Sequence, residues 1–194
     1  MALLFVTGNE HKFDEVSAML KSFDIELHRK SFDFIEPPLP TLKAIALSKA
    51  EQAFEKFKVP LIVEDTGIYF KAYNNFPGTE PKRAFNALGH DGLLRLLKGK
   101  NREVFFHTVI CFYEGQNAKH FFEGKLEGKA TTKVIKPNAN VMPYEKIFIP
   151  KGEKRSLAEI PRSEKNVFSH RAIATHKLGK WLKEKALDDL LDSI

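Results

Sequence analysis

A single cysteine, Cys111, is present in the 194-residue chain, so no disulfide can form within it. Stability must come from a packed core, and the length is sufficient for one. Cys111 sits in a strand-like run and reads as a small buried hydrophobe. No stretch approaches the roughly 18 apolar residues needed to cross a bilayer. The first residues lack a basic segment leading into a long apolar one. The expectation is therefore a soluble, cytoplasmic protein with no membrane partner. Two common nucleotide loops are also missing, the phosphate-binding Gly-Lys-Ser/Thr type and the dinucleotide Gly-x-Gly-x-x-Gly. Neither internal repeats nor low-complexity tracts occur, and one domain over residues 1–194 is expected.

What the chain has in excess is phenylalanine, with 17 copies against one tryptophan, and positive charge, with a formal net of +6. Phenylalanine at that level points to a dense core. The basic excess favours an anionic partner. Lys177, Lys180, Lys183 and Lys185 wind around more than one side of a predicted helix, which suits a solvated surface. With no DNA- or RNA-reading motif, nucleic acid is not the expected partner.

Apolar spacing alternates strands and helices over the first third. Residues 3–6 read as a buried strand, 11–23 as a helix, 25–27 as a second strand, 42–57 as a long helix and 61–63 as a third strand. Three prolines make residues 32–40 a loop. This order implies neighbouring parallel strands. Residues 75–78 read as loop and 89–97 as helix. Residues 104–113, 119–123 and 129–135 read as three successive strands joined by glycine-containing turns. Residues 136–143 read as loop, and 169–187 as a final helix with Ile173, Leu178, Trp181 and Leu182 inward. The expected fold class is α/β: an elongated mixed sheet in two lobes, with flanking helices and a cleft between the lobes.

Three places along this pattern can carry chemistry. Thr7-Gly8-Asn9-Glu10-His11-Lys12 follows a buried strand and opens a helix. Free N–H groups at a helix start, aided by the dipole, bind phosphate. Gly8 permits close backbone approach, Asn9 can cap, and Lys12 sits where a cation is unfavourable unless an anion is near. Leu61-Ile62-Val63-Glu64-Asp65-Thr66-Gly67 runs an apolar strand into two carboxylates. Such acids can hold a divalent metal or deprotonate water. Adjacent strand residues face opposite sides, so one acid is expected to act and the other to support. Ser169-His170-Arg171, with Lys165 four residues before Ser169, again puts cations at a helix start. An arginine fork there suits phosphate or a base carbonyl. Together these sites suggest a triphosphate held by lysine and backbone N–H groups, with carboxylates for Mg²⁺.

In this order and spacing the chain resembles the inosine triphosphate pyrophosphatases, also called dITP/XTP diphosphatases. The resemblance runs from Phe5-Val6-Thr7-Gly8-Asn9 with Lys12, through Val63-Glu64-Asp65-Thr66-Gly67 and Phe76-Pro77-Gly78 with Lys82, to Ala158-Glu159, Glu164-Lys165 and Ser169-His170-Arg171. It implies an elongated α/β homodimer that uses Mg²⁺ to cleave deaminated purine nucleoside triphosphates, bound in the central cleft, to the monophosphate and pyrophosphate. Thr7, Gly8, Asn9 and Lys12 would hold the triphosphate, and Thr66 would contact it. Asp65, with Glu64 beside it, would hold the metal, and Asp65 would serve or orient the attacking water. Lys165, His170 and Arg171 would read the base. The chain departs from the family's pattern where Ala44 stands for a metal-binding Glu and Glu80 for a Tyr. Met142 stands for a base-stacking Phe and Glu145 for a base-reading Asp, on either side of Pro143-Tyr144, and Met142, Tyr144 and Glu145 are expected to bind the substrate. These changes lie on the metal and base sites, and a family member that binds nucleotide with weak or lost catalysis, or altered base preference, is the alternative expectation.

Overall fold

Seven strands form one mixed sheet in the computed structural model, which describes residues 2–191. The elements in chain order are β1 (Ala2–Val6), α1 (Glu10–Leu20), β2 (Glu26–Lys30), α2 (Leu42–Phe57), β3 (Leu61–Phe70), β4 (Phe76–Gly78) and α3 (Pro81–Leu96). There follow β5 (Glu103–Gly115), β6 (Ala118–Ala130), β7 (Phe148–Pro150), α4 (Arg162–Phe168) and α5 (His170–Leu191). The sheet order is β2-β1-β3-β5-β6-β7, with β4 paired to β3. β1 is parallel to both β2 and β3, and every later pairing is antiparallel. The mixed sheet expected from the sequence is thus present, with the parallel part first. No helix among the described residues is long and apolar enough to cross a membrane.

Period-two alternation assigns each strand residue to one of two layers. Even-numbered residues of β3 and β5 face α1 and α5, where Ile62, Ile110 and Phe112 pack with Val16, Leu20, Leu178 and Leu182. Odd-numbered ones face α2, where Val63, Val109 and Cys111 pack on Ala46, Ala50 and Ala53. The small alanine stripe lets α2 lie close to the sheet. A third cluster forms the other lobe, from Ile68, Phe70, Val104 and Phe106 against Leu93, Tyr144, Phe148 and Leu157. Cys111 is fully buried, as its apolar setting predicts, and burial pushes its thiol up to about 12.

Several expectations are corrected. β3 does not stop at Val63 but runs to Phe70, paired with β5 along its whole length. Thr66, Ile68, Tyr69 and Phe70 are good strand formers, and they carry the strand past the acids. Residues 129–135 do not form a separate strand. β6 is a single strand through Ala130, and the next partner is β7. The glycines read as turns, Gly124 and Gly128, are instead close-approach positions. A Cβ on Gly124 would collide with the His170 carbonyl and lie 2.8 Å from the Ala174 nitrogen, and one on Gly128 would lie 2.6 Å from the Phe148 ring. The predicted helix 89–97 is the second half of α3, which is interrupted at Gly89, φ 58° and ψ −173°. Residues 76–78, read as loop, form the short β4, and α4 was not foreseen.

Candidate active site

β1 pairs with β3 only through Leu4↔Leu61 and Phe5↔Ile62, so the two strands part just before Glu64 and Asp65. The acids therefore sit in mid-strand, where β3 is uncovered on the β1 side. That gap receives the Thr7–Lys12 turn. The Thr7 N–H donates to the Lys30 carbonyl at 2.9 Å, holding the turn to β2. Thr7 Oγ1 accepts the Asn9 N–H at 3.1 Å, and Asn9 Oδ1 caps α1 by accepting the Lys12 N–H at 3.2 Å. A Cβ on Gly8 would meet Ser31 Oγ at 3.3 Å, so the turn is tightly fitted there. Lys12 reaches back across the gap to donate to the Glu64 carbonyl at 3.3 Å and to pair with the Glu64 carboxylate. The anion that its unfavourable helix position calls for is, in this structure, Glu64.

The two acids point to opposite layers, as the alternation requires. Glu64 lies inward, beneath α5. Its Oε1 accepts the Arg171 Nε at 3.2 Å, and the Thr66 and Thr108 hydroxyls crowd the same oxygen. Arg171 is 1% exposed. Its other nitrogens donate to Glu15 Oε2 at 2.5 Å and to Thr66 Oγ1 at 3.4 Å. Burial alone would raise the Glu64 pKa, but Lys12 and Arg171 hold it well below the ordinary carboxylate value. Two cations and two hydroxyls thus share one carboxylate, with Glu15 taking the rest of the arginine's charge.

Asp65 lies on the α2 side. It accepts the Thr66 N–H at 3.2 Å, and the Lys49 Nζ lies 3.5 Å from its carboxylate. Here burial wins. The Asp65 pKa is raised above its ordinary 3.8, with Lys12 and Lys49 opposing the shift and Glu64 and Glu36 adding to it. A carboxylate in that condition is a better proton acceptor than an ordinary one.

Beyond Glu64, the inward layer continues into the other lobe. Lys165 Nζ donates to Glu145 Oε2 at 2.8 Å and lies 3.9 Å from Glu15, all three being buried. Burial pushes the Glu145 pKa up against the pull of Lys165. His170 stacks on Phe106 with ring centroids 4.5 Å apart and planes 8° off parallel, and its Nδ1 has no partner among the described residues. Burial, then the Arg171 charge, holds its pKa well below the ordinary histidine value, so the ring is neutral at pH 7. Ser169 Oγ accepts the Ala172 N–H at 3.1 Å and caps α5. Met142 is half-buried at the start of a 3₁₀ turn, Pro143–Ile147. Tyr144 is core, its hydroxyl donating to the Pro81 carbonyl at 2.8 Å, and burial raises its pKa.

The structure therefore gathers Lys12, Glu64, Thr66, Lys165, His170 and Arg171 on one side of β3, with Glu145 joined through Lys165. Asp65 lies on the other side, and Tyr144 packs away from the group. Sequence reasoning missed Glu15, Thr108 and Lys49. Glu15 was legible: it lies three residues after Lys12, on the same helical side. Thr108 is set opposite Thr66 by the β3–β5 register, and Lys49 is aimed by α2 packing, neither of which leaves a local signal.

The family model described as the Ham1 family matches residues 3–181. Among curated proteins, a dITP/XTP pyrophosphatase of Saccharolobus solfataricus is 38% identical over 92% of this chain and 92% of its own. An inosine triphosphate pyrophosphatase of Schizosaccharomyces pombe is 34% identical over 95% of this chain and 96% of its own. Among solved structures, a HAM1 protein from Coxiella burnetii superposes with a TM-score of 0.79 at 25% identity, covering 95% of this chain and 99% of that one.

Proposed function

Because the chain belongs to the Ham1 family, we propose that it hydrolyses deaminated purine nucleoside triphosphates, ITP, dITP and XTP, to the monophosphate and pyrophosphate. The observation that carries this reading is the division of labour across β3. One acid is locked between two cations, and its neighbour has a raised pKa and few partners. A phosphate anhydride needs cations for its oxygens and a base for water. The turn at Thr7–Lys12 brings in the Lys12 ammonium, and Lys49 adds a second ammonium beside Asp65.

Among the described residues, no cluster of three or more His, Cys, Asp or Glu converges, so an all-protein metal cage is absent. Mg²⁺ does not need one, since it is commonly held by one or two carboxylates with substrate phosphates and waters. Asp65 suits that role, and Glu64, already shared by Lys12 and Arg171, suits the task of orienting them. Bound there, Mg²⁺ would offset phosphate charge and lower the pKa of water. Asp65 accepts the water's proton as the oxygen joins one phosphorus of the α–β anhydride and pyrophosphate separates from the monophosphate. Lys12 and Lys49 steady the departing charge.

Base choice rests with the buried groups around α5. Nδ1 of neutral His170 is an unpaired hydrogen-bonding atom, and Lys165 is a donor held by Glu145. A 6-keto group can satisfy a buried donor where adenine's amino group cannot. The mismatch costs about 1–3 kcal/mol. A second chain completing a homodimer and a cytoplasmic setting remain part of the proposal, carried by the family resemblance, and size-exclusion chromatography tests the first. Pyrophosphate release from ITP, XTP, dITP, GTP, ATP and CTP, with and without Mg²⁺, tests the function. Metal-dependent release strongest on ITP or XTP is expected, and none from any nucleotide would overturn the reading.

A further inference from the structure

Lys49 is nearly buried, yet it is held by two carboxylates from different parts of the chain. Its Nζ lies 3.5 Å from Asp65 and 3.0 Å from Glu36, and its ammonium sits 5.8 Å from the centroid of the Phe34 ring. Glu36 belongs to the loop between β2 and α2, and its side chain is 61% exposed. An exposed loop acid has no inherent reason to stay over a strand residue. Here it has one, because the Gln52 side chain binds the backbone next to it twice. Gln52 Nε2 donates to the Ile35 carbonyl at 2.9 Å, and Gln52 Oε1 accepts the Ile35 N–H at 2.9 Å. Gln52 is in turn braced one helical turn back, donating to Ser48 Oγ at 3.3 Å. Pro37, Pro38 and Pro40 follow, restricting the remaining loop. This two-point anchor fixes Ile35 to α2 and delivers Glu36 to the Asp65 side of β3. On the facing helix, Ala44 contributes no side chain that could do the same.

We propose that Glu36, anchored through the Gln52–Ile35 hydrogen-bond pair, is the second carboxylate of the divalent-cation site at Asp65. This rests on the reading of Asp65 given above. In the ion-free arrangement Lys49 bridges the two acids and cancels part of their charge. With a cation bound, Glu36 and Asp65 would share it, and the Lys49 ammonium would be free to meet phosphate oxygens. Glu36's exposure leaves its side chain free to adjust to the ion, while the anchor limits how far it can stray. An ion held by two carboxylates, with the remaining positions left to water and phosphate, is the arrangement expected for Mg²⁺ or Mn²⁺.

Mn²⁺ alone, titrated into the full-length chain and followed by the electron paramagnetic resonance signal of the free ion, tests this without relying on turnover. The wild type is expected to take up Mn²⁺ and Asp65→Asn to lose it. Glu36→Gln should weaken uptake roughly tenfold or more, and Glu36→Asp should recover part of it. Gln52→Leu changes no charge and should still weaken uptake several-fold by freeing the loop. Thermal melts of Glu36→Gln should match the wild type, since the residue is exposed. Glu36→Gln binding Mn²⁺ as tightly as the wild type, while Asp65→Asn does not, would overturn the role of Glu36 and leave Asp65 standing. A Glu36→Gln deficit that vanishes at high salt, with Gln52→Leu unaffected, would be a long-range field effect and would overturn it too. No uptake by the wild type, or full uptake by Asp65→Asn, would overturn both Glu36 and the reading of Asp65.

Discussion

Replacing Glu64 with glutamine is the most informative perturbation of the buried network. The side chain has no solvent exposure, and it neutralises Arg171, itself 2% exposed at the side chain, and Lys12 at 15%. The glutamine keeps the volume and one carbonyl oxygen, so packing is barely altered. What is lost is the charge shared by two cations. Glu15 still pairs with Arg171, but Lys12 loses its carboxylate partner and keeps the Glu64 backbone carbonyl. Breaking a buried ion pair at one partner costs about 3–5 kcal/mol. For a chain of this length that corresponds to a fall in Tm of about 6–20 °C. Urea denaturation at pH 7 measures it directly. The pH dependence supplies a second check with a defined sign. The folded pKa of Glu64 is depressed below its ordinary 4.5, so its stabilisation is present above that value and is lost as pH falls towards the folded one. The gap between wild-type and Glu64→Gln stabilities should therefore be at its full, constant size above about pH 4.5 and close as pH falls below it. Equal stability at pH 7, or a gap that widens in acid, would refute the assignment of Glu64 as the charge that holds Lys12 and Arg171.

Asp65→Asn should lower turnover by about 10²–10⁴-fold without lowering Tm, because burial already disfavours the Asp65 charge, and pyrophosphate release with a thermal melt checks both. Full turnover would remove Asp65 from the chemistry. Lys165→Met should leave Glu145 buried without its partner. The carboxyl pKa, already raised, should then rise further, so the variant's stability should fall as pH increases above about 4.5, as read by urea denaturation at pH 5 and pH 8, whereas a flat profile would contradict the pairing. Gly124→Ala should cost about 1–3 kcal/mol or more and lower Tm, because its Cβ meets the first turn of α5, and an unchanged Tm would mean that α5 does not approach β6 so closely.

The parts of the fold carried by local periodicity were legible in the sequence. α2 was read over its true span, and β1, α1 and α5 nearly so, because an apolar stripe at helical spacing or a short apolar run is a local signal. The lengths of β3 and β6 were not. An acid pair in mid-strand looks like a strand end, and a glycine in mid-strand looks like a turn. Both owe their place to something distant in the chain: Glu64 to Arg171, 107 residues on, and Gly124 to the backbone of α5. The same holds for the site. Lys12, Asp65, Lys165, His170 and Arg171 lie in motifs that break a local rule, and so they stood out. Thr108 and Lys49 break none.

These observations meet at β3. A strand that must display two adjacent carboxylates to two different environments can do so only where both of its faces are covered and its edge is free. β1 stops pairing at Ile62, α5 covers the inward face, and α2 covers the other. Gly124 is what lets α5 descend far enough for Arg171 to reach Glu64, and the alanine stripe of α2 is what brings Lys49 to Asp65. The opposite pKa shifts of neighbouring residues then follow from geometry rather than from residue type. Glu64 meets two cations, Arg171 and Lys12, while Asp65 meets a lysine divided between itself and Glu36. Exchanging the two residues, Glu64→Asp with Asp65→Glu, preserves composition and net charge. It should nevertheless lose both Tm and turnover, because the shorter acid no longer spans to Arg171 and the longer one displaces the base from its water. Thermal melts and pyrophosphate release on the swapped chain decide the point. Retention of both properties would mean that the pair acts by total charge, and the two-sided arrangement would have no role.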